Sequence, residues 1–96
     1  MRLPLEWVGE FCQRWQIREF ALFGSILRAD FRPESDVDVL VTFAPEAQHS
    51  MLELVQMEEE LKELFGRDVD VVEKAGLVNP FRRAAILREM QVIYAA

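Results

Sequence analysis

The chain has 96 residues, of which 51% are apolar and 29% charged, and its formal net charge is −6. This composition predicts a single folded domain over residues 1–96 and excludes a disordered chain. The acidic balance argues against a general nucleic-acid coat, which would be basic, but not against a small nucleotide. A lone cysteine, no secretion signal and no long apolar run predict a cytoplasmic protein without a membrane span.

Helical and strand patterns alternate along the first half of the chain. Apolar residues at helical spacing predict the first helix, and Pro4 is acceptable in its first turn. The most regular strand pattern is β-branched, apolar and closed by a turn-like Ala44-Pro45. The predicted elements are a helix over 4–15, a strand over 18–23, a short helix over about 25–29, a loop over 31–35 and a strand over 37–43.

The second half carries clear helix boundaries. Ser50 and Glu53 have the spacing of a capping box, and Gly66 stands where a C-terminal glycine is expected. Asn79 and Pro80 are typical of the cap and first position of another helix. The predicted elements are a helix over 50–65, a strand over 68–73, a helix over 80–89 and a short strand over 91–94.

This alternation of helices and strands predicts an α/β fold with a small mixed β-sheet packed against helices.

Two carboxylates stand at the start of the strand over 37–43. Side chains two residues apart leave the same face of a strand, so Asp36 and Asp38 project together while the intervening valines face the core. Adjacent carboxylates repel each other unless a cation joins them. Oxygen ligands of this kind suit Mg²⁺, which binds a few carboxylates together with substrate phosphates.

A third carboxylate, Asp70, lies in the next predicted strand between valines expected to be buried. If the two strands are neighbours, Asp70 can approach Asp36 and Asp38. The three could then hold two metal ions about 3.5–4 Å apart and assist an in-line phosphoryl displacement. Asp68 competes for this role, but it lies at the edge of the strand, where a solvated charge costs little.

Gly24-Ser25 follows a strand and opens a short helix. Glycine lets the backbone approach a ligand closely, and free amides at a helix start favour an anion. A triphosphate could bind there, with Arg28 neutralising part of its charge.

Several other polar residues have simpler interpretations. Cys12 is expected to be a packed side chain, Ser35 a turn residue, and His49 an exposed loop residue. The run Glu58 to Glu60 is predicted to be a solvated helix face. Three arginines are left open between surface charges and contacts to a nucleotide or partner: Arg82, Arg83 and Arg88.

Taken together, Gly24-Ser25, the series through Arg28 to Asp30, and Ser35-Asp36-Val37-Asp38 resemble the polymerase-β-type nucleotidyltransferase superfamily. Within it the chain is most similar to the minimal nucleotidyltransferases (MNT), the antitoxins of HEPN–MNT toxin–antitoxin pairs.

This resemblance implies that Asp36, Asp38 and Asp70 coordinate Mg²⁺, and that Gly24 and Ser25 hold the triphosphate of ATP. AMP would be transferred to a hydroxyl, with a tyrosine of a HEPN toxin as acceptor and pyrophosphate as the leaving group. Two alternatives stay open: a binding module that neutralises a toxin by occlusion, and a transferase acting on a small molecule or an RNA end.

Overall fold

The computed structural model describes residues 4–28, 32 and 34–96. Its order of helices and strands confirms the predicted α/β class. Within these residues, none of the helices combines the length and apolarity needed to cross a membrane. The elements are α1 (Leu5–Arg14), β1 (Ile17–Phe23), a 3-10 helix (Gly24–Leu27), β2 (Val37–Phe43), α2 (Met51–Phe65), β3 (Val69–Glu73), a second 3-10 helix (Lys74–Gly76), α3 (Pro80–Glu89) and β4 (Gln91–Ala95).

The strands form one mixed sheet in the order β3-β2-β1-β4. β1 runs antiparallel to both β2 and β4, whereas β2 and β3 are parallel. A parallel pair needs a crossover connection, and α2 supplies it here. The expectation that the strand after α2 lies beside β2 is therefore confirmed.

One face of the sheet, which we call the closed face, is covered by α1 and α2. Alternate side chains of β1 and β2, including Phe20, Val39 and Val41, point to it and are fully buried. Each such apolar side chain contributes about 1.5–3 kcal/mol when it leaves water. The closed face therefore supplies most of the core. Its buried residues are Val8, Phe11, Cys12, Trp15, Ile17, Phe20, Leu22, Val37, Val39, Val41, Met57, Leu61, Phe65 and Val69.

The opposite face, which we call the open face, has a smaller core. Phe23 of β1 and Leu40 of β2 pack there with Ile86 of α3 and with Leu77, which precedes that helix. Because α3 is short and is the only α-helix in this cluster, it covers a limited part of the sheet. Polar groups at the ends of the strands on this face stay accessible.

The predicted helix boundaries of the second half are confirmed by their caps. Ser50 and Glu53 form a complete capping box, and Gly66 ends α2 in the left-handed conformation with φ of 69°. The Asn79 side chain accepts hydrogen bonds from the amides of Phe81 and Arg82. These local interactions explain why the sequence indicated both helices so closely.

Other boundaries shift by a residue or two, and parts of two predictions lie outside the described residues. Pro4 precedes α1 instead of lying within it, β1 starts at Ile17, and β3 starts after Asp68. The short helix expected over 25–29 is a 3-10 helix, and residue 29 is not described. Residues 31 and 33 of the loop predicted over 31–35 are likewise outside the described residues, and Ser35 Oγ accepts from the Arg32 amide at 3.2 Å, as a turn residue does.

The prediction that His49 is an exposed loop residue is wrong. Its side chain is only 9% exposed. The imidazole Nε2 lies 2.7 Å from the backbone oxygen of Trp15, and the ring packs against Trp15 and Phe43. The loop that carries His49 is polar in sequence but folds back onto the aromatic side chains at the end of the closed face. The residues near His49 in the sequence gave no indication of this contact.

The run Glu58 to Glu60 is not uniformly solvated. Glu60 is half-buried and its carboxylate accepts hydrogen bonds from Arg14 at 2.7 Å and from Trp15 Nε1 at 3.1 Å. It therefore joins α2 to the end of α1. Cys12 is buried as predicted, and burial raises the pKa of its thiol to about 12, so the thiol stays protonated at neutral pH.

Candidate active site on the open face

Two of the three candidate carboxylates lie side by side on neighbouring parallel strands. Asp38 of β2 and Asp70 of β3 are directly opposed in the register. Both lie in the alternation that carries Leu40 and Val72 to the open face. Asp36 precedes β2 and shares that alternation. Asp38 is half-buried, whereas Asp36 and Asp70 are exposed.

Gly24 approaches the same point from the end of β1. The preceding residue, Phe23, is paired with Asp38 in the antiparallel register. Gly24 has φ of +79°, and a Cβ built on it would overlap Oδ2 of Asp38. Only glycine fits both the backbone conformation and this close contact. The Gly-Ser turn and the carboxylates are therefore parts of one site.

Electrostatics support the same grouping. Burial raises the pKa of Asp38, and the negative charges of Asp70 and Asp36 raise it further. The positive charges of Arg82 and Arg28 oppose this rise but do not cancel it. Two further carboxylates and two guanidinium groups thus act on Asp38 at this end of the open face.

These side chains do not form a complete metal centre by themselves. In the part of the chain that the structure describes, no three His, Cys, Asp or Glu side chains are grouped closely enough to enclose an ion. Mg²⁺ rarely uses such a cage and is usually held by one or two carboxylates together with substrate phosphates. The oxygen donors at Asp36, Asp38 and Asp70 fit that mode of binding.

The Gly24–Leu27 segment differs from the helix that the sequence indicated. A helix this short cannot accumulate the dipole of a longer helix, so its attraction for an anion is weak. Ser25 is half-buried in this turn, and its carbonyl accepts the Arg28 amide at 2.9 Å. Arg28 is exposed at the end of the turn, where it supplies the positive charge that the helix start does not.

Asp70 and Asp68 occupy different positions, as expected, but one argument for Asp70 was wrong. Asp70 is exposed and its neighbour Val71 is only half-buried, so burial does not force a partner on this carboxylate. Its place opposite Asp38 is what connects it to the site. Asp68 precedes β3, and its carbonyl accepts the Val37 amide at 3.0 Å.

The arginines of α3, which the sequence left open, are now distinguished. Arg82 lies near enough to Asp38 for its charge to lower the pKa of that carboxyl. Arg83 instead donates to the Lys74 carbonyl at 3.1 Å and so fixes the start of the helix. Arg88 is exposed in the last turn. The sequence did not single out Arg82, because its place beside Asp38 depends on how Ile86 of the same helix packs.

Comparison with known proteins gives the family of the chain. Residues 6–93 match the model of the nucleotidyltransferase domain. The protein adenylyltransferase MntA of Thermococcus cleftensis is 38% identical over 81 residues, which cover 84% of this chain and 79% of that protein.

Two solved structures share the fold. A toxin–antitoxin complex with AMP-PNP superposes with a TM-score of 0.75 at 16% identity, covering 98% of this chain and 75% of that one. A complex of the tri-AMPylated Shewanella oneidensis HEPN toxin with MNT antitoxin has a TM-score of 0.67 at 14% identity, covering 96% and 70%. The match over residues 6–93 and the 38% identity to MntA show that the chain belongs to the nucleotidyltransferase family, as its resemblance to the minimal nucleotidyltransferases predicted, and is an enzyme of that class.

Proposed function

We propose that this chain is a Mg²⁺-dependent protein adenylyltransferase that moves AMP from ATP to a hydroxyl of a partner protein. The acceptor is a tyrosine of a HEPN toxin, and the chain acts as the antitoxin in the cytoplasm, where ATP is abundant. The observation that carries the proposal is the parallel register that sets Asp70 opposite Asp38, with Gly24 in close contact with Asp38.

Asp36, Asp38 and Asp70 would hold Mg²⁺, which when bound neutralises phosphate charge and favours displacement at phosphorus. Gly24 and Ser25 would bind the triphosphate beside these carboxylates, and Arg28 would offer it a positive charge. In the reaction, a bond forms between the acceptor hydroxyl oxygen and the α-phosphorus. The bond from that phosphorus to pyrophosphate breaks, and the hydroxyl proton is lost.

The choice of ATP and of a protein acceptor is supported by relatives. The MntA protein is an adenylyltransferase by name, and the chain aligns with 79% of its length. Among proteins of the same fold, one complex contains AMP-PNP and another pairs an MNT antitoxin with an AMPylated HEPN toxin. The net charge of −6 is also poorly suited to an RNA substrate.

The test is transfer of AMP from α-labelled ATP to a co-purified HEPN protein in the presence of Mg²⁺. We expect Asp38→Ala to lower the rate by at least about a hundredfold, the scale of losing one essential electrostatic group. Glu59→Ala removes an exposed carboxylate from α2 and serves as the matched control.

Equal labelling by wild type and Asp38→Ala would contradict the proposal. Neutralisation of the toxin by stoichiometric amounts of an Asp36→Ala, Asp38→Ala double variant would instead favour occlusion. Labelling of a small molecule or an RNA end, without a protein acceptor, would assign the enzyme to another substrate class.

A further inference from the structure

We infer that Arg82 is a substrate-binding residue whose guanidinium holds the outer phosphates of the nucleotide, the group that leaves as pyrophosphate. This inference rests on the proposed nucleotidyl transfer and adds to it a residue that does not belong to the Gly-Ser and Asp-x-Asp motif.

The packing of α3 places Arg82 at the carboxylate end of the open face. Ile86 packs in the cluster formed with Phe23 and Leu40. Arg82 lies one helical turn before Ile86 and therefore on the same side of α3. Asp38 lies two residues before Leu40 on the same face of β2. The charge of Arg82 acts on Asp38, so this side of α3 carries its guanidinium to the end of the open face where Asp38 and Gly24 meet.

The guanidinium of Arg82 is available to a ligand. The residue is exposed, and within residues 4–28, 32 and 34–96 its guanidinium makes neither a hydrogen bond nor an ion pair. Arg14 and Arg83, by contrast, are committed to Glu60 and to the Lys74 carbonyl. An arginine that stays unpaired near Asp38 is suited to receive an anion beside that carboxylate.

The backbone amides at the start of α3 cannot bind the phosphate instead. The amides of Phe81 and Arg82 already donate to Asn79 Oδ1 at 3.0 and 3.1 Å. Anion binding at this helix start therefore falls to the Arg82 side chain, which offers a planar fork that matches a phosphate with two hydrogen bonds.

The charge balance of the site favours phosphate over the acceptor protein as the ligand. Three carboxylates repel a triphosphate, so a triphosphate bound beside them needs positive charges. Arg28 is the other arginine whose charge acts on Asp38. Arg28 follows the 3-10 helix and Arg82 belongs to α3, so the two reach the site from different elements. An outer phosphate held by Arg82 leaves the α-phosphorus beside the carboxylates.

The experiment measures binding of AMP-PNP and of AMP, each with Mg²⁺, by calorimetry and without any acceptor. We expect Arg82→Ala to weaken AMP-PNP binding about tenfold to a hundredfold, the cost of a lost charged hydrogen bond, while AMP binding is unchanged. Arg82→Lys should recover part of the loss. Arg88→Ala, an exposed arginine on the same helix, should bind both nucleotides like wild type. Thermal unfolding of each variant verifies that the fold is intact.

Wild-type AMP-PNP affinity in Arg82→Ala, or an equal loss for AMP, would overturn the inference. Because no acceptor is present, the binding result does not depend on whether the proposed acceptor is correct. If Arg82→Ala labels the HEPN protein with wild-type KM for ATP, the role of Arg82 fails while the proposed function stands. If wild type labels no protein but Arg82→Ala weakens AMP-PNP binding, the role of Arg82 stands while the proposed function fails.

Discussion

The two faces of the sheet differ in what covers them and in what they carry. The closed face is covered by α1 and α2, and among the residues that the structure describes none of its buried side chains is charged. The open face is covered by α3 alone among the α-helices and ends in Asp38, Asp70 and Gly24. The same two strands serve both, because alternate residues of β1 and β2 point in opposite directions.

A short chain can keep a stable core beside a site whose carboxylates lower its stability. Carboxylates that repel one another lower the stability of the folded state. The dense apolar packing on the other side of the same strands offsets that cost. A mutation should therefore alter stability or chemistry according to the face it reaches, and the following predictions test that division.

The largest effect on stability is expected on the closed face. Leu61 is fully buried there, and Leu61→Ala should lower the free energy of unfolding by about 2–5 kcal/mol through lost burial and a cavity. Leu87→Ala makes the same change in a half-buried residue that packs on the open face, so its loss should be smaller. Urea unfolding of both variants measures the difference, and equal losses would break the distinction between the faces.

A smaller effect of opposite sign is expected at Asp38. Because burial and the charges of Asp70 and Asp36 raise its pKa in the folded state, ionised Asp38 opposes folding at neutral pH. Asp38→Asn should therefore unfold at higher urea concentration than wild type at pH 7. The advantage should shrink as the pH falls through the raised pKa towards the ordinary value of about 3.9, where Asp38 becomes protonated.

Asp70→Asn provides the matched variant for this prediction, since it removes one of the charges that raise the pKa of Asp38. It should also be more stable than wild type at pH 7. A stability difference between Asp38→Asn and wild type that instead stays constant from pH 7 to pH 4 would show that ionised Asp38 does not oppose folding.

Features that depend on nearby residues could be predicted from the sequence. The capping box of Ser50 and the left-handed Gly66 need only a few neighbours, and the spacing of Asp36 and Asp38 fixes a shared strand face. The joint pattern of Gly24-Ser25 and the carboxylates was also sufficient to indicate the family.

Features that depend on distant parts of the chain could not be predicted. His49 is partly buried because the chain folds back onto Trp15, which is 34 residues away. Glu60 pairs with Arg14 across two helices. Arg82 reaches the site because Ile86 packs against strands that precede it by many residues. None of these contacts leaves a periodic or local signal.

We propose that Asp36, Asp38 and Asp70 form one cation-binding site on the open face. The most direct test is NMR with Mn²⁺, a paramagnetic substitute for Mg²⁺, added with AMP-PNP to the intact chain. We expect the amide signals of Gly24, Asp38 and Asp70 to broaden first in wild type and to lose this response in Asp38→Asn. Broadening centred on Glu58 to Glu60 of α2, with the three open-face residues unaffected, would contradict it.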